Sequence, residues 1–349
     1  MTQPAGTATM QQRFAAQLLS GRRARTPEEV TDRLLAVQAQ DPRGMRLAIR
    51  ARSTGLRAAD VDEALNARRS LVVSWLNRGT LHLVRREDFW WLHELTTPQL
   101  LTSCSRRLRQ EGVSAEAAER GVDVIARSVT GGAALTRQQL RERISAEGVR
   151  TEGQALPHLL FLATLRGLIV RGPMVGAEHA FVSAKDWVGA PPAIDRDAAL
   201  ACLGRRYLAG HGPATAEDLA RWAGLRLGDA RTAIESVDGL LRRDDGLVDL
   251  PGRRRTASTP PPRLLGAFDP VLLGWTSRES IVGAHHDLVT SNGVFRPFAL
   301  VGGRAAAKWR LVDGRVEVTQ FDDLDPDDSA ALAKDATAVT RFLAVRPGS

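Results

Sequence analysis

Thr26-Pro27-Glu28-Glu29-Val30, Thr136-Arg137-Gln138-Gln139-Leu140 and Thr215-Ala216-Glu217-Asp218-Leu219 are three copies of one local signal, and they set the reading of the whole chain. In each copy a threonine stands where its hydroxyl can accept a hydrogen bond from the third following amide. Glu29 or Gln139 reaches back to complete a capping box, and Asp218 is a shorter version of the same device. Pro27 suits the first turn of a helix, where no backbone donor is needed.

The residues after each start repeat as well: a short amphipathic helix, a turn, a second helix, then strand-forming residues around a glycine bend. This is the pattern of a helix-turn-helix with a wing. In the first unit the helices run near Glu28–Val37 and Pro42–Ala51, a further helix covers about Ala59–Arg68, and strands Leu71–Leu76 and Leu81–Arg85 flank the turn Asn77-Arg78-Gly79. The second pairs helices Arg137–Ala146 and Gln154–Arg166 with strands Leu168–Val170 and Ala180–Ser183, joined across Gly172-Pro173 and Gly176. The third pairs Ala216–Trp222 and Leu227–Val237 with Leu240–Arg243 and Leu247–Leu250 across Asp244-Asp245-Gly246.

Thr259-Pro260-Pro261-Pro262 then reads as a linker to a strand-rich region with strands at Val294–Val301, Ala305–Leu311 and Arg315–Phe321; Asp313-Gly314 is a hairpin turn. The acidic run Asp322–Asp328 would repel phosphate and caps a last helix, Ser329–Phe342. The expected fold is therefore α+β and mainly helical. Three tandem winged-helix (helix-turn-helix) units occupy 1–125 (with flanking helices), 126–192 and 193–258, and the strand-rich C-terminal region occupies 259–349.

At 349 residues, 43% hydrophobic and 25% charged, the chain has the composition of a globular protein of two to four domains. Apolar runs such as Leu159–Leu165 end at Arg or Ser well short of the roughly 20 residues that span a bilayer, and Met1–Met10 lacks the pattern of a signal peptide. The expected address is cytoplasmic, with nucleoid association. Cys104 and Cys202 have no CxxC spacing, and the adjacent His285 and His286 would point to opposite faces of a strand, so neither a metal nor a cofactor is expected.

Lys and Arg outnumber Asp and Glu by 48 to 40, a net charge of +8, which favours a polyanionic partner. Only three of the cations are lysines (Lys185, Lys308 and Lys334), so part of the arginine excess is attributable to a GC-rich genome.

There is no P-loop, GxSxG elbow, HExxH or Rossmann glycine fingerprint, which argues against a kinase, an α/β-hydrolase or a dehydrogenase. The unusual segment is Val37-Gln38-Ala39-Gln40-Asp41-Pro42. Asp41-Pro42 is a helix cap and first residue, so the chain leaves helical geometry at Gln38–Gln40. Residues two apart in an extended stretch point the same way, and two amides then face one space. Solvated polar residues at a helix end are the plainer alternative.

The segment around Gln38 and Gln40 resembles the QxQ motif of the AlkZ-like winged-helix DNA glycosylases, the bacterial family that includes a YcaQ type with aspartate in the second position. The resemblance covers most of the chain. It includes Ser74-Trp75-Leu76-Asn77-Arg78-Gly79-Thr80-Leu81-His82-Leu83-Val84, the stretch from Leu264 through Phe268-Asp269-Pro270 to Arg278, and Gly293-Val294-Phe295-Arg296-Pro297 with Trp309-Arg310 beyond it. It implies a monofunctional glycosylase acting on N-alkylated purines in double-stranded DNA, with Gln38 and Gln40 as the catalytic pair. Gln at position 40 points to the branch associated with self-resistance to DNA-alkylating natural products, crosslinking agents among them.

Residue types agree with that chemistry. An amide is no general base, but its carbonyl can accept from a water while its NH2 donates to another group, so two amides can position a nucleophile. That suffices for a cationic N7-alkylguanine, which leaves as a neutral base. Candidate DNA contacts are Arg43 and Arg46 beside the motif, Arg78, Thr80 and His82 on the first wing, and Arg278, Asn292, Arg296 and Arg310 in the C-terminal region. His82 alternates with Leu81 and Leu83, which fits either a cleft wall or a satisfied core position, the cleft being preferred, and Trp75, Trp90, Trp91 and Trp222 are expected to belong to the core. No obligatory protein partner is inferred. The rival readings are a non-enzymatic winged-helix DNA-binding regulator, disfavoured because no dimerisation or sensing element is visible, and a protein-interaction scaffold.

Overall fold

The structure is a computed structural model that describes residues 6–175, 178–252, 258–290 and 292–344. Gly176, expected in the second wing, lies outside the described residues, as do residues 1–5 of the N-terminal stretch. The fold is mixed α/β with helix predominating. All three repeated threonines start helices. Thr26, Thr136 and Thr215 accept from the amides of Glu29, Gln139 and Asp218 at 3.1–3.2 Å, and the boxes at Thr136 and Thr215 are complete.

The chain packs as two compact units, 1–62 with 200–349, and 63–199. These do not coincide with the four consecutive segments 1–125, 126–192, 193–258 and 259–349 expected from sequence. The C-terminal region buries its sheet against the first helices, a long-range association that no local pattern encodes.

In the first unit, four antiparallel strands lie in the order Arg315–Gln320, Arg304–Val312, Phe298–Val301, Arg263–Leu265. The helices Pro42–Arg52 and Pro326–Leu343 both pack on the Arg263–Leu265 strand. The approach of Pro42–Arg52 is so close that a Cβ added at Gly44 would stand 2.3 Å from the carbonyl oxygen of Ala267. A Cβ at Gly266 would meet Gly44 Cα at 2.8 Å, so both positions exclude a side chain. Behind this contact Arg52 and Asp269 form a fully buried ion pair, and Arg52 Nη2 also donates to Gln17 Oε1 at 2.9 Å.

In the second unit the strands Leu81–Arg85, Leu71–Trp75, Ile169–Val175 and Glu178–Ser183 form consecutive antiparallel pairs. Its core includes Leu108, Ile125, Leu140, Leu159 and Phe181. The helix Ala155–Leu165 buries eight of its eleven residues and serves as core rather than as a solvent-facing reading helix.

Several boundaries differ from expectation for local reasons. The helix Pro27–Leu34 stops before Val37 because Leu35 takes φ +64. The strand expected from Val294 begins at Phe298, after Pro297. Gly172-Pro173 does not end its strand; it sits inside Ile169–Val175 at a register shift between Arg171 and Met174. The last helix starts at Pro326, capped by Asp325, which accepts from the Asp327 amide at 2.8 Å.

Candidate active site

The end of one helix and the start of the next isolate Gln38 and Gln40. After Leu35 turns the chain, Val37–Gln38 is extended, and Asp41 closes the segment by accepting from the Arg43 amide at 3.0 Å, with Pro42 as first helical residue. Gln38 is buried, 5% exposed, whereas Gln40 is exposed. As the two amides are oriented, Gln38 Nε2 donates to Gln40 Oε1. This leaves the Gln40 NH2 available toward solvent and holds both planes in one arrangement. Asp41 is committed to its cap. The extended segment thus turns both amides to one side, as the two-residue spacing requires.

The helix that carries this segment is fixed by the blocks quoted from the C-terminal region. Gly44 rests on Ala267, Arg52 holds Asp269, and Trp309 Nε1 donates to Leu265 O at 2.8 Å. Phe268, at φ +56, sets its ring 5.7 Å from that of Phe295 at a tilt of 46°, and the Arg278 guanidinium lies 5.0 Å over Phe295. Residues far apart in sequence therefore converge on one helix. Sequence reasoning missed Arg52, Gln17 and Asp269 as parts of this brace, because no local pattern sets these residues apart from surface ones.

Among the expected DNA contacts of the first unit, Arg43 is exposed beside the motif. Arg46 is not free: its Nε donates to Asp62 Oδ1 at 2.8 Å and Nη1 to Pro42 O at 2.8 Å. Arg278 is half-buried, its Nε has no hydrogen-bond partner, and burial followed by the charge of Arg221 lowers its pKa. Asn292 and Arg296 are exposed, and Arg310 pairs with Glu317 at 2.7 Å.

In the second unit, Arg78 at φ +58 and Gly79 at φ +72 make the tight turn of the Leu71–Trp75 and Leu81–Arg85 hairpin, with Thr80 Oγ1 donating to Asn77 O at 3.0 Å. His82 is buried, 3% exposed, which corrects its expected place on an open cleft wall. Burial first and Arg78 second push its pKa down to about 3. It is neutral at physiological pH, and its Nδ1 faces Thr80 O at 3.0 Å.

The expected core tryptophans divide: Trp222 is buried, while Trp75, Trp90 and Trp91 are partly buried. His285 and His286 lie in a turn, not a strand, and the His285 ring stacks 3.9 Å from that of Phe321. Both cysteines are free thiols, and burial raises the Cys104 pKa to about 11. Among the described residues no group of three His, Cys, Asp or Glu is placed to hold a metal, and no helix is long and apolar enough to cross a membrane.

Two neutral amides thus meet at the break before a braced helix, in a chain of net charge +8. Residues 31–342 match the DNA glycosylase AlkZ-like family, and the chain belongs to it. It is 30% identical over 371 aligned residues to an interstrand DNA cross-link repair glycosylase of Streptomyces sahachiroi, covering 95% of each chain. Among solved structures it resembles the Streptomyces sahachiroi DNA glycosylase AlkZ, with TM-score 0.79, 27% identity and 97% of each chain covered.

Proposed function

We propose that the protein is a monofunctional DNA glycosylase that releases N-alkylated purines, N7-alkylguanine foremost, from double-stranded DNA, with Gln38 and Gln40 positioning the attacking water. The observation that carries this reading is the amide pair: two neutral side chains at one break between helices, one donating to the other, with the second open to solvent. The helix starts at Thr26, Thr136 and Thr215 support three winged-helix units as the scaffold, each with a second helix and a hairpin after it.

The mechanism rests on what these groups can do. Neither amide can give up a proton to a leaving group, so a base that leaves as an anion is a poor substrate. N7-alkylation puts positive charge on guanine before the reaction, and C1′–N9 cleavage then releases a neutral base. Water held by the pair adds to C1′ and loses its proton to solvent, while the amide carbonyl dipoles favour the cationic sugar.

Positive charge at N7 is common to a methyl group and a bulky adduct, so bulky natural-product adducts and interstrand crosslinks fall within the same chemistry. The relative named for cross-link repair favours that extension. Repair of such lesions fits either general base excision or self-resistance to a DNA-alkylating natural product, acting at the nucleoid without an obligatory protein partner. Matched duplexes bearing N7-methylguanine, a bulky N7 adduct or uracil, assayed for abasic sites, test the reading. Release of both guanine bases and retention of uracil is expected; uracil release with neither guanine adduct touched would overturn it.

A further inference from the structure

We propose that Arg171, with Arg137 and the first turn of the Arg137–Ala146 helix, forms a phosphate-binding site that takes a backbone phosphate of the DNA. The proposal rests on the DNA-binding reading above and adds a contact from the second compact unit.

Arg171 is a buried charge whose contacts among the described residues are aromatic rather than ionic. The residue is 8% exposed, its Nε is buried without a hydrogen-bond partner, and among the described residues no carboxylate forms an ion pair with it. The guanidinium lies 4.6 Å over the Trp75 ring and 4.1 Å over the Phe181 ring. Two aromatic faces fix the plane of the guanidinium, and among the described residues its Nε has no partner, a state suited to a planar, two-point contact with a phosphate. Burial and then the charge of Arg137 lower its pKa to about 10, which leaves it cationic at neutral pH.

Two charged groups act on Arg171, the cation of Arg137 more strongly and the carboxylate of Glu178 less so. Phe181 pairs with Arg171 across the strands, and the Phe181 amide donates to Leu135 O at 2.7 Å while the Leu135 amide donates back to Phe181 O at 3.0 Å. That bridge sets the start of the Arg137–Ala146 helix beside the Glu178–Ser183 strand, whose other neighbour is the strand of Arg171. The exposed Arg137 is the first residue of this ten-residue helix, and with the Thr136 and Gln139 amides taken up by the capping box, the amides of Arg137 and Gln138 are the ones its positive end has to offer an anion. Because the helix Ala155–Leu165 is core, this helix start offers the second unit a route to DNA that needs no groove-reading helix. A structural protein would do better with an apolar side chain at 171, since a buried charge without a partner is a cost.

That cost makes the test decisive. Duplex affinity is measured by anisotropy for wild type, Arg171→Met, Arg171→Lys and Arg137→Ala across roughly a tenfold range of salt, alongside thermal melts. Arg171→Met is expected to melt no lower than wild type, yet to weaken binding about tenfold and to reduce the slope of log affinity against log salt by about one contact. Arg171→Lys restores the charge without the plane and recovers only part of the affinity. If Arg171→Met does not fold, Arg137→Ala, an exposed change, carries the same expectation. Wild-type affinity and slope in the variant that folds would overturn the proposal. So would stabilisation by inorganic phosphate that is lost in Arg171→Met while duplex affinity is unchanged, because the site would then serve a free anion. Base release from N7-methylguanine at saturating protein separates this proposal from the glycosylase reading: inactivity of wild type sinks that reading, whereas the site is judged on affinity alone.

Discussion

Arg52 and Asp269 are joined by two hydrogen bonds, Nη1 to Oδ2 at 2.9 Å and Nη2 to Oδ1 at 2.7 Å, with both side chains wholly out of solvent. Asp269 Oδ1 also accepts from the Val271 amide at 3.0 Å, and Arg52 is the last residue of the helix that begins at the glutamine segment. The pair therefore sets where that helix sits on the Leu264–Arg278 block.

Asp269→Ala is expected to destabilise the protein by about 3–5 kcal/mol, because it strands a buried guanidinium. The double change Arg52→Met with Asp269→Leu is expected to cost much less. Urea unfolding of both variants checks this, and equal losses would mean that the helix is held by something else.

Gly44→Ala is expected to lower stability by about 1–3 kcal/mol and to slow base release, since its Cβ would stand 2.3 Å from Ala267 O. Gly228→Ala is the control. It lies in the helix Leu227–Glu235 with nothing within 4 Å of an added Cβ, and a gain of about 0.5–1 kcal/mol is expected there. Thermal melts and base-release rates of the two variants read both effects.

The capping threonines and the Asp41-Pro42 cap were legible because capping is local: the residues that bond are three apart. Gln38 and Gln40 could be singled out for the same reason, since Asp41-Pro42 forces the break. The division into units was not legible. It depends on Gly44 meeting Ala267 and Arg52 meeting Asp269, contacts separated by more than 200 residues, and a charge buried by such a contact looks in sequence like any surface charge. His82 illustrates the converse. Its alternation with Leu81 and Leu83 fitted either a cleft or a buried place, and only packing decides between them.

His82 also predicts a pH dependence. Its folded pKa, about 3, lies below the ordinary value of 6.5, so the unfolded chain binds a proton that the folded one does not. The resulting stability is fully present above pH 6.5 and is lost as pH falls toward 3, by at most about 1.4 kcal/mol per pH unit. His82→Gln should flatten that part of the stability profile, as measured by denaturant melts at stepped pH; an unchanged slope would assign the acid sensitivity to other groups.

Arg43 and Arg46 are expected to separate on mutation. Arg43→Ala, which removes an exposed cation next to the motif, should weaken duplex binding several-fold, whereas Arg46→Ala should change it less because Arg46 is held by Asp62 and Pro42 O. Binding isotherms at fixed salt decide it, and a larger loss at Arg46 would show that its ion pair opens on DNA.

The central claim is that the two amides position water for a cationic leaving group. It is tested by the single-turnover rate of base release from an N7-methylguanine duplex for wild type, Gln38→Ala and Gln40→Ala, with duplex affinity measured in parallel. Each variant is predicted to slow release by at least about tenfold, equivalent to roughly 1.4 kcal/mol in the barrier, with affinity nearly unchanged. Release at the wild-type rate by both variants would contradict the account and leave Gln38 and Gln40 as structural residues.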